Sequence, residues 1–143
     1  MKDPRPDWDT YYLYIAQAVA TRADCTRRTI GAIIVKGDRI VSTGYNGAPA
    51  GKPGCLTQNA CPRGRMNKSE VAMGSSYDTG AGSCIALHAE QNAILRAGLD
   101  ARGSILYITD EPCDGCSRLI EGAGISLVVF PDKNDIQQTR IVA

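Results

Sequence analysis

The sequence predicts an α/β domain in which helices cover a mixed sheet, and three observations carry that expectation. Apolar side chains recur at three- and four-residue steps in several stretches, the spacing of one helical face. Two short apolar runs flank a tight turn, the pattern of an antiparallel hairpin. A later strand–helix–strand run has so short a helix that its two strands should lie parallel through a right-handed crossover. With 143 residues and 43% hydrophobic content, residues 1–143 are expected to form a single domain with its own core.

The first element is a helix over residues 8–23, where Tyr12, Ile15, Ala16 and Val19 share a face and Asp7 serves as N-cap. Its tyrosines, from Tyr11 to Tyr14, read as core and subunit-contact surface. "GAIIV" and "IVSTGY" follow as two antiparallel strands joined across Lys36-Gly37-Asp38-Arg39. Residues 46–84 are rich in Gly, Pro, Ser and Asn and hold three cysteines, so they read as a long irregular segment pinned by something. "ALHAEQNAILRAG" returns to helical spacing and stops at Gly98. A strand "SILYIT", a helix "PCDGCSRLIEGAG" with Pro112 in its first turn, and a strand "ISLVVF" complete the order. The tail from Pro131 is polar and unpatterned.

Composition narrows the function classes. The net charge is +1, from 16 basic and 15 acidic residues, without the basic footprint of a protein that binds long nucleic acid. The amino terminus lacks the apolar centre of a signal peptide and no run is long enough to span a membrane, so a cytoplasmic location is expected. Six cysteines in a reducing compartment point to metal ligation or thiol chemistry rather than disulfides.

His88, the one histidine of the chain, opens one helix, and Cys113 and Cys116 open another. Cysteines three apart on one turn can reach a single ion, and one imidazole with two thiolates leaves a tetrahedral zinc one position for water, which marks a catalytic rather than a closed structural site. Helix N-termini favour thiolate and hydroxide, and Glu90, two residues after His88, is placed to carry protons. The competing reading, a redox Cys-x-x-C pair beside a capping glutamate, leaves His88 unexplained.

"HAEQNAI" followed by "EPCDGC" resembles the zinc-dependent cytidine and deoxycytidylate deaminase family. The resemblance implies a three-layer α/β/α fold with a mixed five-stranded sheet, the first two strands an antiparallel hairpin and the later ones parallel. It implies a hydrolase in which zinc-activated water attacks the ring carbon bearing an amino group, with Glu90 as proton carrier and His88, Cys113 and Cys116 as ligands. Residues 25–51, with their "GYNG" loop, are similar to the group acting on dCMP. The expected activity is conversion of dCMP, or a closely related cytidine nucleotide, to dUMP and ammonia by a homo-oligomer, with no membrane partner.

On that reading Asn46, Arg27, Arg28 and Ala89 contact the substrate, the arginines through charge-assisted hydrogen bonds to a monophosphate. Cys25, Cys55, Cys61 and Cys84 are expected to close a second, structural zinc site that pins the irregular segment. Residues 63–82 depart from the family pattern, and the turn after the His88 helix lacks the arginine of members regulated by nucleoside triphosphates, which argues against such control. Two alternatives stay open: a cytosine or adenosine deaminase acting on nucleic acid, and a zinc-stabilised nucleotide-binding protein without turnover.

Overall fold

The computed structural model describes residues 2–67 and 69–142; Met1, Lys68 and Ala143 lie outside the described residues. Helix α1 (Trp8–Ala20) begins where expected, with Asp7 accepting the Thr10 N–H at 2.8 Å. It ends three residues early. Strands β1 (Gly31–Lys36) and β2 (Arg39–Tyr45) form the hairpin. Gly37 and Asp38 both take positive φ, 56° and 64°, as a two-residue turn matched to strand twist requires.

A single helical turn, α2 (Cys55–Gln58), lies inside the segment expected to be irregular. Helix α3 (Ala89–Ala97) starts three residues later than the apolar spacing suggests and runs into a 3-10 turn, Gly98–Ala101. Strand β3 (Ile105–Ile108), helix α4 (Asp114–Gly122) and strand β4 (Leu127–Pro131) follow. Pro112 precedes the N-cap of α4 rather than joining its first turn.

The sheet order is β2-β1-β3-β4-β5, with β3 and β4 parallel as expected and β1 antiparallel to both its neighbours. The fifth strand, β5 (Gln137–Ile141), comes from the polar tail and pairs antiparallel with β4, so the expectation that the later strands run parallel holds only for β3 and β4. A hairpin needs only a short turn, whereas a parallel partner needs a crossover for which the tail has no length. Asp132 builds that turn, its Oδ1 accepting the N–H groups of Asn134 at 2.8 Å and Ile136 at 3.0 Å.

Alternation along the strands divides the core. Ile33, Val35, Tyr107 and Val129 pack under α1 with Tyr12, Leu13 and Ala16. Ala32, Ile34, Leu106, Ile108, Val128 and Phe130 face α3 and α4 through Ala89, Ala93, Ile94 and Ile120. The three layers are therefore one helix, the sheet, and two helices. Of the α1 aromatics Tyr12 enters the core, while Trp8, Tyr11 and Tyr14 stay exposed.

Two glycines allow the helices to lie close on the sheet. A Cβ on Gly31 would strike the Ala16 carbonyl oxygen and Ala20 nitrogen of α1, and one on Gly44 would strike the Ala89 carbonyl oxygen and Ala93 nitrogen of α3. Among the described residues no helix is long and apolar enough to cross a membrane.

Candidate metal centre

The start of α3 is set by a long-range backbone pairing rather than by helix propensity. Leu87 pairs with Gly47 of the GYNG loop through a two-bond bridge, Gly47 N–H to Leu87 O at 3.1 Å and Leu87 N–H to Gly47 O at 2.8 Å. That holds Leu87 extended and makes His88 the N-cap. The Gln91 side chain accepts the His88 N–H at 2.7 Å, satisfying one donor at the helix entrance. Farther along, Asn92 Nδ2 donates to Tyr45 O at 2.8 Å, Ser42 Oγ donates to Ala93 O at 2.7 Å and Arg96 Nη1 donates to Thr43 O at 3.4 Å, so side chains and the close approach at Gly44 tie α3 to β2 along its length.

Cys113 is the N-cap of α4, its sulfur accepting the Cys116 N–H at 3.4 Å. The two helix starts meet. His88 Nδ1 lies 3.0 Å from Cys116 Sγ and 3.7 Å from Cys113 Sγ. Among the described residues this is the one group of three or more potential ligands whose donor atoms all fall within 4.8 Å of one another. One imidazole nitrogen and two sulfurs suit zinc, and three protein donors rather than four is the count of a catalytic centre.

Glu90, in the first turn of α3, is 3% exposed and places Oε1 3.9 Å from His88 Nδ1. Burial pushes its carboxyl up, against the opposing pull of its own backbone N–H, of His88 and of the Cys116 thiol. Burial likewise pushes the Cys116 thiol up, reinforced by the Glu90 charge and by Cys113. Burial disfavours the charged form of both groups and the Glu90 charge further disfavours the Cys116 thiolate; a divalent cation there inverts the local sign. The residues therefore fit a zinc ion.

The remaining expected site residues, Ala89 apart, fall around a cavity of about 500 Å³ that reaches His88 and is lined by Arg27, Arg28 and Asn46, with Tyr77 beside them. Asn46 is buried, and its side chain is engaged with the chain itself: Oδ1 accepts the Ile30 N–H at 2.9 Å and Nδ2 donates to Arg28 O at 3.1 Å. Arg27 turns away, Nη2 donating to Arg63 O at 3.1 Å and Met66 O at 2.6 Å. Arg28 is mostly exposed and makes a loose ion pair, 4.0 Å to Asp110. Ala89 is fully buried at the first position of α3, where its N–H is one of the helix's unpaired donors.

Cys25, Cys55, Cys61 and Cys84 line the same cavity, and none of the six cysteines is in a disulfide. They are neighbours, but their sulfurs are spread more widely than the donors of the His88 group. Asp24 brings two of them together by accepting the N–H groups of Leu56 at 2.7 Å and Thr57 at 3.0 Å and the Thr57 hydroxyl at 2.8 Å, which caps α2 beside Cys25. Burial raises Cys55 and Cys84, whereas Cys61 is lowered because the N–H groups of Ile85 and Gly64 and the thiols of Cys84 and Cys55 outweigh its burial.

Sequence reasoning missed Arg63, the organiser of the irregular segment. It is buried, its Nη1 donates to Ser75 Oγ at 3.1 Å and Gly82 O at 2.9 Å, and its guanidinium lies 3.8 Å from the Tyr77 ring centre. No spacing rule marks such a residue, because its partners are loop carbonyls with no pattern of their own.

Residues 6–131 match the family model for the cytidine and deoxycytidylate deaminase zinc-binding region. The chain belongs to this family. A deoxycytidylate deaminase of Mycobacterium phage D29 is 50% identical over 131 residues, which is 91% of this chain and 98% of that protein. The deoxycytidylate deaminase of Schizosaccharomyces pombe is 41% identical over 88% of this chain, which spans only 37% of the yeast protein. Among solved structures, the dCMP deaminase from the cyanophage S-TIM5, in complex with dCMP and dUMP, superposes with a TM-score of 0.62 at 27% identity, covering 91% of this chain and 85% of that one. The family's zinc-binding region thus includes the three donors that the fold brings together.

Proposed function

We propose that the chain is a zinc-dependent hydrolytic deaminase converting dCMP, or a closely related cytidine nucleotide, to dUMP and ammonia. The observation that carries this reading is Glu90, a nearly buried carboxyl next to the His88, Cys113 and Cys116 donors. A metal site that serves only for structure has no use for a buried proton carrier. The phage relatives named for the same activity, one of them matched over almost its whole length, support the choice of substrate.

Bound to His88, Cys113 and Cys116, zinc supplies Lewis acidity that makes water acidic near neutral pH. The Glu90 carboxylate accepts a proton from the attacking water as the C4–O bond forms and delivers it to the ring nitrogen. The second water proton follows to the amino group, the C4–N bond breaks and ammonia leaves, so dCMP and water become dUMP and ammonia. Arg28, the arginine with its guanidinium still exposed, is placed for the monophosphate, with Asn46 holding the Arg28 backbone and the Ile30 N–H in position. Arg27 contributes through the loop it braces, and Ala89 offers its N–H.

The test is ammonia release from dCMP, CMP, deoxycytidine, their triphosphates and single-stranded oligonucleotides. Activity is expected on dCMP. Turnover of oligonucleotides without monomers would transfer the assignment to a nucleic-acid deaminase, and a zinc-loaded protein inert on every substrate would leave a binding protein.

The reading extends to a cytoplasmic homo-oligomer, supported by six unpaired cysteines and by the exposed Trp8, Tyr11 and Tyr14 on α1. It extends also to a second zinc held by Cys25, Cys55, Cys61 and Cys84, supported by their sharing one cavity wall. Metal analysis of the intact protein is expected to give two zinc ions per chain. One per chain would remove the second site.

A further inference from the structure

The tail of the chain reaches back to the turn that carries the two metal-binding sulfurs. Arg140 stands on β5, opposite Val128 of β4, beyond the residues matched by the family model, 6–131. Its Nη2 donates to Glu111 Oε1 at 2.8 Å, and its Nη1 donates to Ser117 Oγ at 3.5 Å. Glu111 lies two residues before Cys113, and Ser117 directly follows Cys116. One guanidinium therefore grips the chain on both sides of the Cys113–Cys116 turn.

We propose that Arg140 is a positioning residue for the metal centre, bracing the turn from Glu111 to Ser117 so that Cys113 and Cys116 stay in register with His88. The proposal rests on the zinc reading above. Cys116 has other support, being buried in the first turn of α4. Cys113 is tied to α4 on one side only, its sulfur accepting the Cys116 N–H and its carbonyl the Ser117 N–H: β3 ends at Ile108, the residues from there to the N-cap belong to no strand or helix, and Cys113 itself is exposed. Sheet hydrogen bonds fix the start of that span and the helix fixes its end, while the Glu111 contact is a tie between them from outside the span.

The geometry suits arginine. Its planar fork presents several N–H groups at fixed angles and so serves two acceptors at once, which the point charge of lysine does not. The guanidinium lies 5.1 Å from the Phe130 ring centre, so its orientation is set before it meets Glu111. An exposed ion pair adds little to global stability. The effect of Arg140 should therefore appear in how firmly the metal is held, as for other groups that orient ligands, rather than in unfolding.

The test compares Arg140→Ala, Arg140→Lys and Glu111→Gln with the unaltered protein by zinc release to a chelator and by cadmium NMR of the cadmium-loaded protein. In NMR, a site with two thiolates and one imidazole resonates apart from a four-thiolate site. Arg140→Ala is expected to release zinc from the His88 site about 10-fold faster and to shift or broaden that resonance alone. Arg140→Lys is expected to recover part of the loss, and Glu111→Gln to reproduce part of it.

An Arg140→Ala protein with the resonance and release rate of the unaltered chain overturns the proposal. So does one that changes only in step with general unfolding, seen as a collapse of the melting temperature. If Arg140→Ala does not fold, Glu111→Gln with unaltered release serves as the refutation. Absence of the two-thiolate, one-imidazole resonance from the unaltered protein instead overturns the metal-centre reading itself, so the two failures are distinguishable.

Discussion

Glu90→Gln is expected to retain its zinc and to lose turnover by about a thousandfold. The substitution keeps size and burial at a position that is 3% exposed, and it leaves His88, Cys113 and Cys116 in place. It removes the one capacity the proposed reaction needs there, accepting a proton and returning it. KM for dCMP should move far less than kcat, because an amide retains most ground-state contacts of a carboxylate while failing in the transition state. The melting temperature should hold or rise, since the change withdraws a carboxyl whose burial disfavours its charge. Steady-state kinetics with zinc analysis on one preparation is the check. Activity within tenfold of the parent at full zinc occupancy would show that the proton carrier lies elsewhere.

Gly44→Ala is expected to damage both the fold and the site, through a residue that touches neither metal nor substrate. The added methyl meets the Ala89 carbonyl oxygen and the Ala93 nitrogen. These are backbone atoms of α3 and cannot rotate aside, so β2 and α3 must separate. Overpacking of this kind costs about 3 kcal/mol at the upper end of its usual range, which for a chain of 143 residues corresponds to a fall in Tm of about 10 °C. Because His88 and Glu90 ride on the displaced end of α3 while Cys113 and Cys116 remain on α4, kcat should fall about 100-fold as well. Gly122→Ala is the control, since nothing lies within 4 Å of a Cβ there; it should be neutral or slightly stabilising. A Gly44→Ala protein that melts with the parent would refute the flush packing of α3 on β2.

Much of the site was legible because metal chemistry leaves local marks. His88, Glu90, Cys113 and Cys116 are few in kind, closely spaced, and stand where helices begin, and a turn of four residues is enough to place two sulfurs together. The hairpin was legible for the same local reason, its turn being written in Gly37 and Asp38. What escaped was structure decided at long range. Ala86 and Leu87 fit the helical spacing of α3, yet pairing of Leu87 with Gly47 won, because the isolated bridge, formed with a buried Gly47, satisfies backbone groups that an extra helical turn there would leave open. The strand β5 reads "QQTRI" and is almost wholly exposed, so it had no buried face to impose a two-residue alternation. Asn46 lines the cleft, but its hydrogen bonds run to Ile30 and Arg28, partners that no inspection of the GYNG turn by itself would suggest.

Those same two bonds from Asn46 weld the loop after β2 to the segment before β1, and the Gly47–Leu87 bridge joins both to the threshold of α3. Three stretches remote in sequence thus form one stiff rim. Its ordering entropy is surrendered when the chain folds, so an arriving nucleotide meets a wall already in shape and has to immobilise little more than itself.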